Sequence, residues 1–330
     1  MRVLVTGIAG FIGSHVADRL LARGHTVYGI DDLSAGNMNA FVHPASKVLY
    51  SDLRNIGMTK QAIEECQPEI VFHLAANAAE NKAQFSPIDI TSRNYDAFIK
   101  MLVPAINNKV RRIVFTSSIA VYGDLNKKPY KEKHDPHPED LYGVSKLAIE
   151  QTLRIMSDIH GFEYTIVRPH NVYGPRQNAN DPYRNVVTIF MNRAMIGKPV
   201  DIYGDGEQRR CFSYIDEVAD AIVEAGFAET NGMTLNVGAD KDYSVNELVD
   251  AIETASGKRI KRNYLKDRPG EVKVATADHR LAKKHLNYKD KTTLDDGIKK
   301  TWDWISSLGP QVPNITPFEI PSDKTPENWK

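Results

Sequence analysis

The chain has 330 residues, of which 42% are hydrophobic and 25% charged, the balance of an ordinary globular protein. A usual domain has about 100–200 residues, so the length favours one large domain or two fused ones. Basic and acidic residues number 42 each, and this neutral total favours neither a nucleic-acid partner nor a membrane-surface partner. No apolar run of about 18 residues is present that could span a bilayer.

The only cysteines are Cys66 and Cys211, too few for a disulfide framework or a cysteine zinc site. The amino terminus reads directly as a strand and has no apolar signal-peptide core. We therefore expect a cytoplasmic protein without a bound metal.

Short apolar runs alternate with longer amphipathic segments in the first half of the chain. The predicted strands are Val3–Val5, Val27–Ile30, Val48–Tyr50, Ile70–Leu74, Ile113–Phe115 and Tyr164–Val167. The predicted helices are Ser14–Ala22, Thr59–Glu65, Ile90–Ile106 and Tyr142–Ile159. Strands that are apolar throughout indicate burial on both faces, and their alternation with helices predicts an α/β fold with a Rossmann-type, doubly wound parallel sheet.

The alternation of predicted strands and helices becomes less regular after Pro169. The predicted helices of the second half are Val186–Ile196, Asp216–Phe227, Ser244–Ala255 and Leu294–Ile305. We predict a first domain over residues 1–170, to which a segment near 207–230 returns, and a smaller α/β domain over most of 171–330. The proline-containing tail after Gly309 predicts an extended surface segment.

Three glycines, Gly7, Gly10 and Gly13, follow the first strand and open the first helix. Glycines permit a tight turn and let the backbone approach a pyrophosphate, while the helix N-terminus supplies unpaired N–H groups. A plain glycine-rich turn is the alternative, but the position between strand and helix favours a dinucleotide site.

A carboxylate at the end of the second strand indicates which dinucleotide is bound. Asp31 can accept hydrogen bonds from the adenosine ribose hydroxyls and repels a 2′-phosphate, and Asp32 adds negative charge. These residues favour NAD over NADP. The alternative role of Asp31 is to cap the following turn.

Tyr142 and Lys146 lie four residues apart, on one face of a predicted helix. A tyrosine of ordinary pKa about 10 is a poor base at neutral pH, but a nearby ammonium and a nicotinamide cation both favour the phenolate. Ser118 follows the Ile113–Phe115 strand, at the edge of the sheet where ligands bind. We expect these three side chains to share a catalytic site.

Together these features resemble the extended short-chain dehydrogenase/reductases of the NAD-dependent epimerase/dehydratase family, over almost the whole chain. The motifs that carry the resemblance are Gly7–Gly13, Asp31, Asp52-Leu53, His73–Ala76, Ser117-Ser118, Val121–Gly123, Tyr142–Lys146, Arg168-Pro169 and Tyr203–Gly206. Within this family the chain resembles the UDP-glucose 4-epimerase group.

The resemblance implies that Tyr142 is the base, that Lys146 tunes it and binds the nicotinamide ribose, and that Ser118 polarises the reacting hydroxyl. The other implied NAD contacts are Gly7, Gly10, Phe11, Ile12, Gly13, Asp31, Asp52, Leu53, Leu74, Ala75, Ala76 and Ser117, with Asn94 behind them. The implied contacts to a nucleotide sugar, expected to be a UDP-hexose, are Ser118, Asn171, Asn185, Val186, Tyr203, Arg210, Arg268 and Ala275.

The chain departs from its relatives at several positions. Ile119-Ala120 stands where dehydratases carry an Asp-Glu pair, which disfavours dehydration and decarboxylation. Ala78 replaces a lysine of some 4-epimerases, and His170 replaces a phenylalanine. Ala275 replaces a bulky residue of some relatives and leaves room for an N-acetyl group. These changes leave the sugar open.

Two rival functions stay open. The first is another NAD-dependent enzyme on this scaffold, such as a UDP-glucuronate epimerase, an epimerase at another carbon or a net oxidoreductase. The second is a non-catalytic nucleotide-sensing protein, which the presence of Ser118, Tyr142 and Lys146 disfavours.

The resemblance also implies a homodimer through the helices at Ile90–Ile106 and Tyr142–Ile159. Pro104 should end or kink the first of these helices. The cluster from His134 to Asp140 fits no zinc motif, and Asp140 is a candidate N-cap for the helix that carries Tyr142.

Overall fold

The structure is a computed structural model that describes residues 1–35, 41–184, 186–266 and 273–325, apart from the side chain of Asn81. The strands in these ranges are β1 (Arg2–Thr6), β2 (Thr26–Asp31), β3 (Lys47–Tyr50), β4 (Ile70–His73), β5 (Arg112–Thr116), β6 (Glu163–Pro169), β7 (Val172–Tyr173), β8 (Val200–Tyr203), β9 (Arg209–Arg210), β10 (Ser213–Tyr214), β11 (Met233–Val237), β12 (Tyr243–Ser244), β13 (Arg262–Leu265) and β14 (Val274–Ala275). The helices are α1 (Phe11–Ala22), α2 (Ile56–Cys66), α3 (Glu80–Ala83), α4 (Pro87–Thr91), α5 (Ala97–Asn107), α6 (Leu141–His160), α7 (Val186–Met195), α8 (Ile215–Ala225), α9 (Val245–Ser256), α10 (Arg280–His285) and α11 (Leu294–Leu308). None of the helices in these ranges is long and apolar enough to cross a membrane.

A seven-stranded sheet forms the centre of the molecule, with the order β11-β6-β5-β4-β1-β2-β3. All neighbouring pairs run parallel. The strands that follow β1 go first to one side, as β2 and β3, and then to the other, as β4, β5 and β6. This reversal opens a crevice at the carboxyl ends of β1 and β4, where ligands of such sheets bind. The predicted Rossmann-type sheet is confirmed.

Both faces of the sheet are covered by helices and buried. In β1, Val3 and Val5 belong to one hydrophobic cluster, whereas Leu4 belongs to the cluster on the opposite face. In β5, Val114 faces the first cluster, while Ile113 and Phe115 face the second. Burial on both faces explains why these strands have no polar alternation in the sequence.

The expectation that Pro104 ends the helix is wrong, whereas a kink there stays a prediction. Helix α5 passes through Pro104 and ends at Asn107. Proline removes only one helical N–H, and near the end of the helix this loss is small, since the Asn108 amide still donates to the Pro104 carbonyl at 3.0 Å. The irregular part lies earlier, in a π-helical turn at Ser92–Asp96 that joins α4 to α5.

The second half of the chain contributes to two regions. Strand β11 joins the central sheet beside β6, and α8 packs on α1, where Arg19 forms ion pairs with Asp216 at 2.8 Å and Asp220 at 2.6 Å. The remaining strands form small sheets, β8 with β13, β7 with β10, and β9 between β12 and β14. The division near residue 170 stays a prediction.

Candidate active site

A single cleft of about 1340 Å³ runs along the carboxyl edge of the sheet and collects most of the predicted site residues. The predicted cofactor contacts that line it are Gly7, Gly10, Phe11, Ile12, Gly13, Asp31, Asp52, Leu53, Leu74, Ala75, Ala76, Ser117, Tyr142 and Lys146. The predicted substrate contacts that line it are Ser118, Asn171, Val186, Tyr203, Arg210 and Ala275. Asn185 and Arg268 lie outside the described residues.

The glycine turn between β1 and α1 leaves no room for side chains. Gly7 has a φ of +73°, and a Cβ there would lie 2.9 Å from the backbone of Ala75. A Cβ on Gly13 would lie 1.9 Å from the Gly7 carbonyl oxygen. The first turn of α1 thus packs directly on the loop, and its residues Phe11, Ile12 and Gly13 line the cleft, where the unpaired N–H groups of a helix N-terminus can bind an anion.

Two carboxylates, Asp31 and Asp52, line the cleft beside β2 and β3, away from the catalytic candidates at the end of β5. Asp31 accepts hydrogen bonds from the amides of Ala9 at 2.9 Å and Leu33 at 2.8 Å, and burial raises its pKa. The predicted turn-capping role of Asp31 is therefore also present. Arg54 holds Asp52, and this side-chain hydrogen bond lowers the pKa of Asp52.

One cation at this end of the cleft, Arg93, was not predicted from the sequence. Arg93 donates to Asp32 at 2.8 Å and to Asp89 at 2.7 Å, and all three side chains line the cleft. Asp89 and Arg93 are four residues apart on one continuous helical segment, whereas Asp32 lies 61 positions before Arg93, so no motif in the sequence connects Arg93 to Asp32. Arg93 balances part of the negative charge beside Asp31.

Asn94 is buried behind the wall of the cleft. Its side chain accepts from the Asn77 amide at 2.8 Å and donates to the Asn77 carbonyl at 3.0 Å. Asn77 itself lines the cleft. Asn94 is therefore placed to hold the loop that follows β4 and not to contact a ligand directly.

The catalytic candidates meet where β5 ends and α6 begins. Ser118 follows β5, and its hydroxyl oxygen accepts from the Ala120 amide at 3.1 Å and shares a hydrogen bond with Tyr142. Lys146 lies one helical turn after Tyr142, with its Nζ 5.6 Å from the Tyr142 ring centroid, and donates to the Thr116 carbonyl at 2.7 Å. The arrangement places a phenol between a hydroxyl and an amine.

Helix α6 is held in place at its N-terminus and at Glu150 in its third turn. Asp140 caps the N-terminus and accepts from the Gly143 amide at 2.8 Å, which confirms the predicted N-cap. Farther along, Glu150 accepts from the Ser117 hydroxyl at 2.7 Å and from Arg168 at 2.8 Å. The helix that carries Tyr142 and Lys146 is thereby tied to the ends of β5 and β6.

Burial is the main cause of the pKa shifts of two catalytic candidates, Tyr142 and Lys146. It raises the pKa of Tyr142, the charge of Glu80 raises it further, and the Ser118 hydrogen bond opposes both. Burial lowers the pKa of Lys146 to about 7, against the attraction of Glu150. The protein groups alone therefore keep Tyr142 protonated, and the phenolate expected from the sequence needs a further positive charge in the cleft.

Glu80 is an unexpected carboxyl group in the cleft. It stands between Ala79 and Ala83, which pack in one cluster with Tyr142. Its side chain is accessible from the cleft, yet the surrounding protein raises its pKa to about 7, with Asp140 adding to the shift and Arg210 opposing it. The sequence offered one signal, an acidic residue immediately after the Ala78-Ala79 pair.

A buried histidine pair adjoins the opposite wall. His170 Nε2 lies 2.9 Å from His279 Nε2, and His279 Nδ1 lies 3.2 Å from Asp240. Burial lowers the pKa of His170 to about 3. His170 therefore stays neutral and supports the neighbouring Asn171, which lines the cleft with a φ of +43°.

Comparison with known proteins identifies the family. The sequence profile of the NAD dependent epimerase/dehydratase family matches residues 3–238. A UDP-glucose 4-epimerase from Mycolicibacterium smegmatis is 34% identical over 313 residues, which cover 91% of this chain and 97% of the relative.

Solved structures have the same fold. The UDP-glucose 4-epimerase of Thermotoga maritima, solved with UDP-glucose, is 32% identical with a TM-score of 0.88, over 93% of this chain and 99% of that one. The UDP-glucuronic acid 4-epimerase of Bacillus cereus, solved with UDP-glucuronic acid and NAD, is 29% identical with a TM-score of 0.85, over 93% and 100%. The chain therefore belongs to the NAD-dependent epimerase/dehydratase family.

Proposed function

We propose that this enzyme is a UDP-hexose 4-epimerase that uses NAD, with UDP-glucose as its first candidate substrate. One observation carries the proposal: Ser118, Tyr142 and Lys146 meet inside the cleft that also holds the glycine turn. The cleft has about 1340 Å³, whereas common ligand pockets have about 300–1,000 Å³. There is room for a dinucleotide and for a nucleotide sugar beside it.

The residues present fit the cofactor. The turn at Gly7–Gly13 admits a pyrophosphate because side chains are sterically excluded there, and Asp31 offers its carboxylate to ribose hydroxyls. Lys146, which lines the same cleft, is the proposed partner of the nicotinamide ribose. Bound NAD supplies a reversible hydride acceptor beside Tyr142.

In the proposed reaction, Tyr142 would take the proton of the sugar 4-hydroxyl, and bound NAD would supply the acceptor for the C4 hydride. Ser118, which lies beside Tyr142, would polarise the reacting hydroxyl. Once the sugar has turned over, Tyr142 would return the proton to the same oxygen, so that C4 is inverted. No net oxidation results, and acid–base catalysis of this kind contributes about 10²–10⁴-fold.

Glu80 favours a neutral hexose over a uronate. C6 of the sugar is two bonds from C4, so a carboxylate near Tyr142 would be near C6 in one of the two orientations that the ring adopts. The Glu80 charge, which acts on Tyr142, would repel a second carboxylate at C6. We therefore expect UDP-glucose to be a better substrate than UDP-glucuronate, the substrate of the Bacillus cereus relative.

A sugar panel tests the proposal. The enzyme is incubated with UDP-glucose, UDP-galactose, UDP-N-acetylglucosamine, UDP-glucuronate, and GDP and dTDP sugars, and proton NMR reads which carbon is inverted. We expect inversion at C4 of UDP-glucose without net NADH. We also expect activity with UDP-N-acetylglucosamine, because Ala275 at the cleft wall leaves space for the acetyl group.

The rival functions would give different results in this sugar panel. Nucleotide reduced in proportion to product would indicate a net oxidoreductase, and inversion at another carbon or only of UDP-glucuronate would identify another epimerase. Binding of NAD and UDP-sugars without turnover of any of them would favour the non-catalytic alternative.

The proposed active form is a homodimer. Helices α5 and α6 expose apolar side chains, among them Val103 at 46%, Ile155 at 58% and Ile159 at 68%. These exposed side chains on the two helices fit burial against a second copy of the chain. Light scattering should give twice the mass of the chain for the wild type and a monomer for Ile155→Lys. The expected cytoplasmic location stays a prediction.

A further inference from the structure

The C-terminal tail, defined here as residues 310–325, crosses the mouth of the cleft. It contains no helix or strand, in line with the extended segment predicted from its prolines. However, it is more than a surface segment, because Asn314, Thr316, Pro317 and Glu319 line the cleft. The tail therefore forms part of the wall around the ligands.

One set of contacts fixes the tail to the first half of the chain. The Glu319 carboxylate accepts from the backbone amides of Ile88 and Asp89, each at 2.8 Å. The Ile320 amide donates to the Phe85 carbonyl at 3.0 Å, and the rings of Phe85 and Phe318 lie 5.5 Å apart. Charge-assisted bonds of this kind are stronger than neutral ones.

We call these contacts of Phe318, Glu319 and Ile320 the tail anchor. The buried ammonium of Lys82 adds to the tail anchor. The residue is only 8% exposed, and its ammonium donates to Thr316 Oγ1 at 2.7 Å and lies 3.8 Å from Asp89. A buried ammonium is costly unless it has hydrogen-bond partners. The tail supplies one of these partners.

A second set of contacts fixes the tail to the opposite wall. The Asn314 amide donates to the Asn180 carbonyl at 2.7 Å, and the Tyr183 hydroxyl donates to the Thr316 carbonyl at 3.1 Å. Nearer α11, Gln311 exchanges two hydrogen bonds with the Asn192 side chain, at 2.8 and 2.7 Å. The tail thus bridges the cleft from one wall to the other.

The anchor of the tail is connected to the cofactor end of the cleft. Asp89, which the Glu319 carboxylate holds through its amide, accepts from Asn77 at 2.8 Å and from Arg93 at 2.7 Å. Arg93 reaches Asp32 at 2.8 Å. Movement of the tail anchor would therefore disturb side chains that line the cofactor half of the cleft.

The length comparison points the same way. The Thermotoga relative is matched over 99% of its length, but this chain only over 93%. About 7% of this chain therefore lies outside the match to that relative.

We infer that the C-terminal tail is a strap that retains NAD, and the oxidised sugar during turnover, by closing the cleft from outside. The part that concerns the sugar rests on the proposed epimerase function, whereas the part that concerns NAD does not. A strap suits this chemistry, since an epimerase must keep both the reduced cofactor and the 4-keto sugar until the hydride has returned.

The test compares three variants with the full chain. A truncation after Ile315 removes the Lys82 and Glu319 anchors but leaves Gln311 and Asn314 in place. Glu319→Ala removes one anchor only, and Asp323→Ala replaces an exposed acidic residue of the same tail as the matched control. The NAD that remains after gel filtration and the rate of exchange with isotopically labelled NAD are measured, with circular dichroism as a check on folding.

We expect exchange to be faster by about tenfold or more in the truncation and by several-fold in Glu319→Ala, whereas Asp323→Ala stays at the wild-type rate. With substrate, both tail variants should release free NADH, which the full chain retains. Unchanged NAD retention in a folded truncation would overturn the inference. If the truncation does not fold, the NAD exchange rate of Glu319→Ala alone tests the inference. A wild type that turns over no sugar overturns the epimerase function but leaves the exchange result valid.

Discussion

Lys146 is a buried amine, and its protonation links stability to catalysis. Its pKa is about 7 in the folded protein against an ordinary 10.5. Between these values the unfolded chain binds a proton that the folded chain does not, so the stability of the NAD-free protein rises with pH across this window. Each pKa unit corresponds to about 1.4 kcal/mol.

Replacing Lys146 with methionine should therefore remove turnover and stabilise the NAD-free protein at pH 7. The stability advantage of Lys146→Met over the wild type should shrink by about 2 kcal/mol between pH 7 and 9. Urea unfolding of both proteins at the two pH values measures this. Parallel pH dependence in the two proteins would contradict the lowered pKa of Lys146.

Glu80 should control the pH at which Tyr142 becomes active. Its negative charge raises the pKa of Tyr142, so Glu80→Gln should lower that pKa. Because the phenolate is the active form, the acidic limb of kcat/KM for UDP-glucose should move to lower pH, by on the order of half a unit.

The same variant should increase turnover of UDP-glucuronate relative to UDP-glucose. Glu64→Gln, an exposed and remote change in α2, provides the control and should leave both the pH profile and the preference unchanged. A Glu80→Gln profile that coincides with the wild type would exclude this role of Glu80.

Residues with a motif could be predicted from the sequence, and residues without one could not. The glycine turn and Asp31 lie within one strand-helix-strand unit, so their relation is local. The contact of Arg93 with Asp32 joins residues 61 positions apart and depends on how the chain folds. The position of Glu80 could not be predicted either, because only the packing of α3 on α6 brings Glu80 beside Tyr142.

At the scale of elements, the N-cap of α6 sets the position of Tyr142 two residues later. Asp140→Ala should cost about 1 kcal/mol of unfolding free energy, because the Gly143 amide loses its acceptor. Asp140→Asn should keep most of the stability, since asparagine caps helices equally well. Denaturant unfolding measures both, and equal losses would argue against capping as the cause.

The long apolar strands of the sheet were predictable because burial on both faces leaves an uninterrupted hydrophobic run. The short strands β7, β9, β10, β12 and β14 have two residues each, too few for any period to show. The π-helical turn at Ser92–Asp96 was also beyond prediction, since the sequence there remains compatible with a regular helix. The conformations of these short strands and of the π-helical turn depend on contacts with distant segments.

At the scale of the whole molecule, the cleft exists only when distant parts of the chain meet. The glycine turn, the end of β5, the start of α6, the loop before α7 and the tail each contribute one wall. The parts of the cleft that carry family motifs could be predicted from the sequence. The tail, in contrast, was predicted to be a surface segment. A ligand that touches several walls should stabilise the fold as a unit.

NAD should therefore raise the unfolding temperature of the NAD-free protein by several degrees, since a ligand at about 100 times its Kd adds about 2.7 kcal/mol. Tyr142→Phe should keep this increase and lose epimerisation, because it removes only the reacting hydroxyl. Gly13→Ala should lose the increase, as its Cβ would lie 1.9 Å from the Gly7 oxygen and displace the turn. Gly57→Ala is the matched control, because its Cβ would meet only the Asn55 side chain at 3.6 Å. A full NAD response in Gly13→Ala, measured by calorimetry, would mean that the cofactor does not lie over this turn.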